Sequence, residues 1–234
     1  MKQSEFTEAI KNFEIIITDE QLNNLEQYYN LLVEWNKKMN LTGIIKKEEV
    51  YLKHFYDSLT ICKAIDLKNV NTLCDIGTGA GFPGMVLKII FPNIQITLVD
   101  SLKKRIAFLE EVKRTLGLKN LDIINARAEE YAIENREKFD VVTARAVAPL
   151  NILLEYSVPL VKKDGYFIPL KANVVDEIEN SQNAIKHLSV ELEKEIHFLL
   201  PKENSQRSIL LFKKKENTSK KFPRKYNEIK KKPL

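Results

Sequence analysis

The stretch Thr72-Leu73-Cys74-Asp75-Ile76-Gly77-Thr78-Gly79-Ala80-Gly81-Phe82-Pro83-Gly84 decides how the rest of the chain is read, and it holds four of the seven glycines. Leu73 to Ile76 fits the end of a buried strand, and Met85 to Phe91 has the apolar spacing of a helix. The turn between them suits glycine, which tolerates positive φ and lets a ligand approach the backbone closely. Such a turn, running into a helix N-terminus, is expected to present free N–H groups and the positive end of the helix dipole. The stretch therefore predicts a nucleotide-like cofactor site. An ordinary strand-to-helix turn rarely needs four glycines in eight positions.

Outward from this stretch, the chain beyond Val70 alternates short apolar strands with amphipathic helices, the pattern of an α/β fold with a parallel sheet. Strands are expected near 72–76, 95–100, 121–126, 139–144 and 165–171, with helices near 84–91, 102–116, 127–135, 148–161 and 173–189. Glu195–Leu200 and Ser208–Lys213 read as two more strands joined by a polar turn with Pro201 and Asn204. That turn is too short for a parallel crossover, so the pair should be antiparallel. The expectation is five parallel strands closed by a terminal antiparallel hairpin.

In such sheets ligands bind beyond the carboxyl ends of the strands. The first strand ends at Asp75 and enters the glycine turn. The second, Gln95 to Asp100, ends in an acid placed to accept hydrogen bonds from both hydroxyls of a ribose. The third ends at Asn125-Ala126-Arg127-Ala128-Glu129, the fourth at Thr143-Ala144-Arg145-Ala146-Val147-Ala148-Pro149, and the fifth at Pro169-Leu170-Lys171. Each alone fits a helix cap or a surface charge; polar groups at all five ends together point to a site.

Residues 1–66 read as a helical extension packed on the core. Thr18 or Asp19 caps a helix whose apolar residues Leu22, Leu25, Tyr28, Tyr29, Leu32 and Trp35 follow three-and-four spacing. Asn36 to Gly43 reads as a polar, basic loop, and Lys47 to Lys53 as a second helical piece. His54 and Asp57 follow, more often a structural hydrogen-bonding pair than a catalytic one. The domain proper is expected over 67–215, with 216–234 as a basic tail. From Lys213 onward there are ten basic and two acidic residues, a balance of +8, whereas the other 212 residues carry 27 basic and 30 acidic, or −3. A mildly acidic body with a basic end suggests contact with a polyanion, or else a solvated tail. Removal of the tail is expected to weaken RNA binding and spare the cofactor.

The composition, 44% hydrophobic and 29% charged over 234 residues, is that of a soluble globular protein with a real core. Cys62 and Cys74 form neither a disulfide framework nor a zinc spacing, so no metal is expected and a reducing cytoplasm is. Met1-Lys2-Gln3-Ser4-Glu5 lacks the pattern of a signal peptide, and no apolar run reaches the ~20 residues that span a bilayer. The protein is expected to act as a monomer, away from membranes.

The glycines leave two chemistries open. Gly77, Gly79 and Gly81 form GxGxG, while Gly79, Gly81 and Gly84 also satisfy the GxGxxG of dinucleotide dehydrogenases, so methyl transfer from S-adenosylmethionine and hydride transfer from NAD both fit. A catalytically idle RNA-binding module is a third reading, weakened because it needs no cofactor turn. Asp75 before the glycines, placed to meet a cofactor ammonium, favours methyl transfer. So do the terminal hairpin and the lack of a separate catalytic domain after residue 150.

Cys74 to Gly84, Leu98-Val99-Asp100-Ser101-Leu102-Lys103-Lys104-Arg105, Ala126 to Glu129 and Val142 to Ala148 closely resemble the bacterial small-subunit ribosomal RNA methyltransferase G family. Asn36 to Thr42, His54 with Asp57-Ser58-Leu59, and Phe222-Pro223-Arg224-Lys225 match it too. The resemblance covers nearly the whole chain. It implies a class I S-adenosylmethionine-dependent methyltransferase fold, Rossmann-like, and methylation of guanine N7 in the decoding-region loop of 16S rRNA, on the RNA or on a small-subunit precursor. Carried over by position, Gly77, Phe82, Ala128, Glu129 and Arg145 bind the cofactor. With the residues read from the sheet, the expected cofactor set is Asp75, Gly77, Gly79, Gly81, Phe82, Asp100, Ala128, Glu129 and Arg145. Tyr226-Asn227-Glu228 departs from the small, glycine-containing turn usual in the family. Guanine N7 carries an in-plane lone pair, so alignment can suffice without a general base. Consistent with this, the fourth strand ends in neither the Asn-Pro-Pro-Tyr of amino-group methylation nor a nucleophilic Cys. Arg145 stands there instead, as cofactor contact and as the residue that positions the substrate through guanine O6 or phosphate. The remaining RNA contacts are expected at Lys37, Lys38, His54, Lys103, Lys104, Arg105, Lys171, Arg224 and Lys225.

Overall fold

The computed structural model describes all residues except Asn173. Helices α1 (Gln3–Ala9) and α2 (Asp19–Met39) open the chain; α3 (Lys47–Val50), a wide π turn (Tyr51–Tyr56) and α4 (Asp57–Leu59) then form one continuous rod. The strand–helix alternation follows: β1 (Thr72–Ile76), α5 (Gly84–Ile90), β2 (Gln95–Asp100), α6 (Lys103–Thr115), β3 (Leu121–Asn125), α7 (Ala128–Glu134), β4 (Phe139–Arg145), α8 (Leu150–Ser157) and β5 (Val161–Lys171). Two short helices, α9 (Val175–Glu179) and α10 (Gln182–His187), lead to β6 (Val190–Leu199), β7 (Gln206–Lys214) and α11 (Tyr226–Lys231).

The seven strands form one sheet in the order β3-β2-β1-β4-β5-β7-β6. β1 to β5 are parallel, and β7 pairs antiparallel with both β5 and β6. The expected fold class is observed, hairpin included. β1, β2 and β4 are buried along most of their length, as a parallel sheet covered on both faces requires. One core joins α1, α2, α4 and α5 to one face; the other joins α8, α10 and the C-terminal residues Phe222 and Ile229 to the opposite face.

Three boundaries differ from the sequence reading, and the C-terminal tail, expected as a polyanion contact or a solvated segment, is packed on the body. α2 continues through Asn36, Lys37, Lys38 and Met39, which were expected to be loop. The Asn36 carboxamide accepts the N–H groups of Leu41 and Thr42 at 2.6 and 2.9 Å, and Asn40 takes φ +47°, so the turn comes four residues later. Lys37 and Lys38 thus sit in the last helical turn, where the dipole favours cations. At its other end the Thr18 cap is reciprocal, Gln21 N–H to Thr18 Oγ1 and Thr18 N–H to Gln21 Oε1. The long helix expected over 173–189, whose first residue lies outside the described residues, is two short ones broken near Asn180–Ser181. β6 begins at Val190, because Val190 and Leu192 alternate with exposed glutamates. Finally, the basic tail is folded: Phe222, Pro223 and Ile229 are buried and α11 packs on α8. Among the described residues no helix is long and apolar enough to cross a membrane, and no three His, Cys, Asp or Glu cluster to hold a metal.

Candidate active site

A cavity of about 730 Å³ opens at the carboxyl ends of the parallel strands, where β1 and β4, the strands from which the sheet grows in opposite directions, leave a crevice. One end is lined by Gly77, Gly79, Asp100, Ala128 and Glu129, the other by Leu41, Thr42, His54, Phe82 and Arg145. The N-terminal extension thus completes the site.

The glycine turn differs from its expected role. Gly77 and Thr78 donate their N–H groups to Val99 O, Gly79 to Asp100 Oδ2, Gly81 and Phe82 to Thr78 O, and Gly84 to Asp75 Oδ2. These donors are spent on shaping the loop, so it is no cradle for a pyrophosphate. Gly77 has φ +67°, and a Cβ there would stand 2.7 Å from Val147; at Gly81, φ +99°, it would stand 2.6 Å from the Tyr28 hydroxyl. Tyr28 comes from α2, and its hydroxyl donates to Ala80 O, so the extension grips the loop from behind.

Asp75 and Gly81 do not line the cavity. Asp75 is fully buried under the turn, where Oδ2 accepts from Thr78 Oγ1 at 2.6 Å and from Gly84 N–H, while Oδ1 has no partner. Burial pushes its pKa up to about 7 against those two hydrogen bonds and the nearby Arg145 charge. Asp75, expected to meet a cofactor ammonium, here braces the loop through Thr78 and Gly84. Asp100 does face the cavity, yet three of its acceptor positions are filled, by Gly79 N–H and Arg105 Nη1 on Oδ2 and by Leu102 N–H on Oδ1. A carboxylate has about four such positions. One remains, so Asp100 can take one ribose hydroxyl rather than both unless Arg105 moves.

At the other end Arg145 is the hub. Nη1 donates to Lys53 O (3.0 Å) and Asp57 Oδ2 (3.2 Å), Nη2 lies 3.2 Å from His54 Nδ1, and the guanidinium covers the Phe82 ring at 5.3 Å. Asp57 also accepts from Arg207 Nε at 3.0 Å. His54 stacks on Phe82, centroids 4.2 Å apart, and its Nε2 meets Thr42 Oγ1 at 2.9 Å. Burial, then the Arg145 charge, pushes the His54 pKa down to about 3, so the ring is neutral at pH 7. With Arg145 donating to Nδ1, the proton sits on Nε2 and goes to Thr42. His54 and Asp57 therefore share one function, tying the extension to the end of β4.

The expected RNA contacts divide. Lys37, Lys38, Lys103 and Lys225 are exposed. Lys104, also exposed, donates to Met39 O at 3.1 Å, and Arg105 is held by Asp100. Lys171 and Arg224, also expected among the RNA contacts, have internal partners. Lys171 bonds Glu177 and Ala148 O, and Arg224 forms a bidentate pair with the wholly buried Glu155 at 2.7 and 2.6 Å. Sequence reasoning missed Thr42, Tyr156, Tyr226 and Lys230 in the cavity wall. Two of them left a signal there, Thr42 at the end of a stretch that matches the family and Tyr226 as a departure from its pattern.

The profile of a family described as rRNA small subunit methyltransferase G matches residues 21–210. The chain belongs to that family. Its relatives include the ribosomal RNA small subunit methyltransferase G of Bacillus licheniformis, 49% identical over 100% of this chain and 99% of its own. The protein of that name from Bacillus subtilis is 47% identical over the same shares. Among solved structures, an S-adenosylmethionine-dependent O-methyltransferase from Thermotoga maritima superposes with TM-score 0.54 at 14% identity, covering 80% of this chain and 72% of that one. TYW2 of M. jannaschii in complex with AdoMet gives 0.57, also at 14% identity, covering 74% and 79%. At these identities the likeness is one of fold. For a methyltransferase G family member this loop makes sense: S-adenosylmethionine has no phosphates to cradle, and the N–H groups of the glycine turn are bonded internally.

Proposed function

We propose that this protein transfers a methyl group from S-adenosylmethionine to N7 of a guanine in the decoding-region loop of 16S rRNA, in the cytoplasm. The observation that carries the reading is one cavity with two unlike ends, an acceptor-rich half beside the glycine turn and a cationic half around Arg145, in a chain of this family. When bound, the cofactor supplies an electrophilic methyl on a positively charged sulfur. The protein supplies placement. Phe82, held between His54 and Tyr28, stiffens the wall between the two halves. Arg145 spends three of its five donors on Lys53, Asp57 and His54; two remain for guanine O6 or a phosphate. Guanine N7 needs no deprotonation, and His54, neutral with both nitrogens engaged, is not a base. Exposed Lys37, Lys38, Lys103 and Lys225 provide the non-specific attraction to phosphates.

The test maps N7-methylguanosine in small-subunit rRNA from cells with and without this protein. A modification that disappears with the protein supports the reading. Unchanged N7 methylation would refute the acceptor, and calorimetry showing NAD rather than S-adenosylmethionine binding would refute the cofactor.

A further inference from the structure

We propose that the C-terminal segment from Arg224 to Lys231 is part of the cofactor site, Tyr226 and Arg127 forming the wall against which the adenine lies. This rests on the function proposed above. Tyr226 and Lys230 line the same cavity as Gly77 and Asp100. The Arg127 guanidinium covers the Tyr226 ring, 4.1 Å from its centroid, and Arg127 is held in turn by Glu129 at 2.5 Å. Tyr156 on α8 lines the same cavity, and burial, then the Glu129 charge, opposes its ionisation. The result is a guanidinium lying over a phenol ring, a surface that a planar base can extend.

The stack is also in the right place. Asp100 on β2 is in register with Asn125 on β3, and Arg127 follows two residues later. In the order β3-β2-β1-β4 this lies beyond the ribose acceptor on the side away from Arg145, where the base of an adenosine held by Asp100 has to go. The segment is built to stay there. Arg224 makes three hydrogen bonds to Glu155 on α8, one from its backbone N–H. Phe222 and Ile229 are buried, and Arg136 donates to the carbonyls of Thr218, Ser219 and Phe222. A segment that composition marks as a polyanion arm is thus anchored as cavity wall.

Calorimetry on the full chain, with S-adenosylmethionine and S-adenosylhomocysteine as probes, tests this. Tyr226 is partly exposed, so Tyr226→Ala should fold normally, as thermal unfolding will confirm. It should bind both probes about tenfold more weakly, the scale of a lost base–aromatic stack, while Tyr226→Phe stays within about twofold of wild type. Saturating S-adenosylhomocysteine should also slow tryptic cleavage after Lys225 and Lys230. Tyr226→Ala binding like wild type overturns the proposal. So does Tyr226→Phe binding as weakly as Tyr226→Ala, which would place the effect on the hydroxyl, and so does unchanged cleavage. A wild-type protein that binds neither probe refutes the proposed function itself; wild-type binding unaffected by Tyr226→Ala refutes only the wall.

Discussion

Replacing Asp75 by Asn should make the protein more stable at pH 8. The carboxyl is fully buried, with a pKa of about 7 against the ordinary 3.8. Desolvation outweighs the Thr78 and Gly84 hydrogen bonds that favour the charged form. Above pH 7 the group is ionised in both folded and unfolded states, and the folded state carries the burial cost. At about 1.4 kcal/mol per unit this is roughly 4 kcal/mol. Between about pH 4 and 7 the folded state holds a proton that the unfolded state has released, so stability falls as pH rises and levels off above 7. Asn keeps the shape, and its carbonyl can accept from Thr78 and Gly84. Its amide then stands where Oδ1 has no partner, at a cost of about 1–2 kcal/mol. The net gain at pH 8 is roughly 2–3 kcal/mol, or about 5–10 °C in Tm for a chain of this size. Urea unfolding of both proteins from pH 5 to 8 measures it. The advantage of the variant should grow by about 1.4 kcal/mol per pH unit up to 7 and then flatten. A variant less stable than wild type at pH 8, with a difference that ignores pH, would refute the reasoning and make the Asp75 charge a structural requirement.

Gly77→Ala should cost about 1–2 kcal/mol in left-handed backbone strain and more from the Val147 clash, and abolish measurable cofactor binding by calorimetry. Arg224→Ala leaves Glu155 buried and unpaired, so denaturant unfolding should show a loss of about 3–5 kcal/mol. Arg145→Lys cannot span Lys53 O, Asp57 and His54 with one point donor; single-turnover methylation should slow by at least about tenfold. Asp100→Ala removes the ribose acceptor and the anchor of Gly79 N–H, and should weaken S-adenosylmethionine binding by at least about tenfold in the same titration, with the fold retained.

The sheet was legible because parallel strands are short apolar runs ending in chemistry. Asp75, Asp100, Glu129, Arg145 and Lys171 marked all five ends, and the length of the Pro201–Asn204 connection required an antiparallel pair. That length says nothing about which strand of the pair joins β5, and it is β7. The roles of individual site residues were less legible, because each depends on a partner distant in sequence. Arg224 looks like any basic tail residue until Glu155, 69 positions away, is seen beneath it. Asp75 looks like a ligand until Gly84 folds back onto it. The glycine spacing suits two cofactors, and the closure of its N–H groups onto Val99, Asp100 and Thr78, invisible in the sequence, helps to separate them.

The position of β7 has a consequence for synthesis. β5 ends at Lys171, and its open edge is covered only when β7, complete at Lys214, arrives with β6 already beside it. At about 5–20 residues per second, the ribosome leaves Tyr166, Phe167 and Leu170 on an unpaired edge for roughly 2–9 s. An unpaired apolar edge is a template for another chain. A message truncated before Gln206 would therefore yield an aggregating product, although every residue of the glycine turn and of β1 to β5 is present. The final fifth of the sequence closes the sheet, and the nascent chain is at its most vulnerable just before that part emerges.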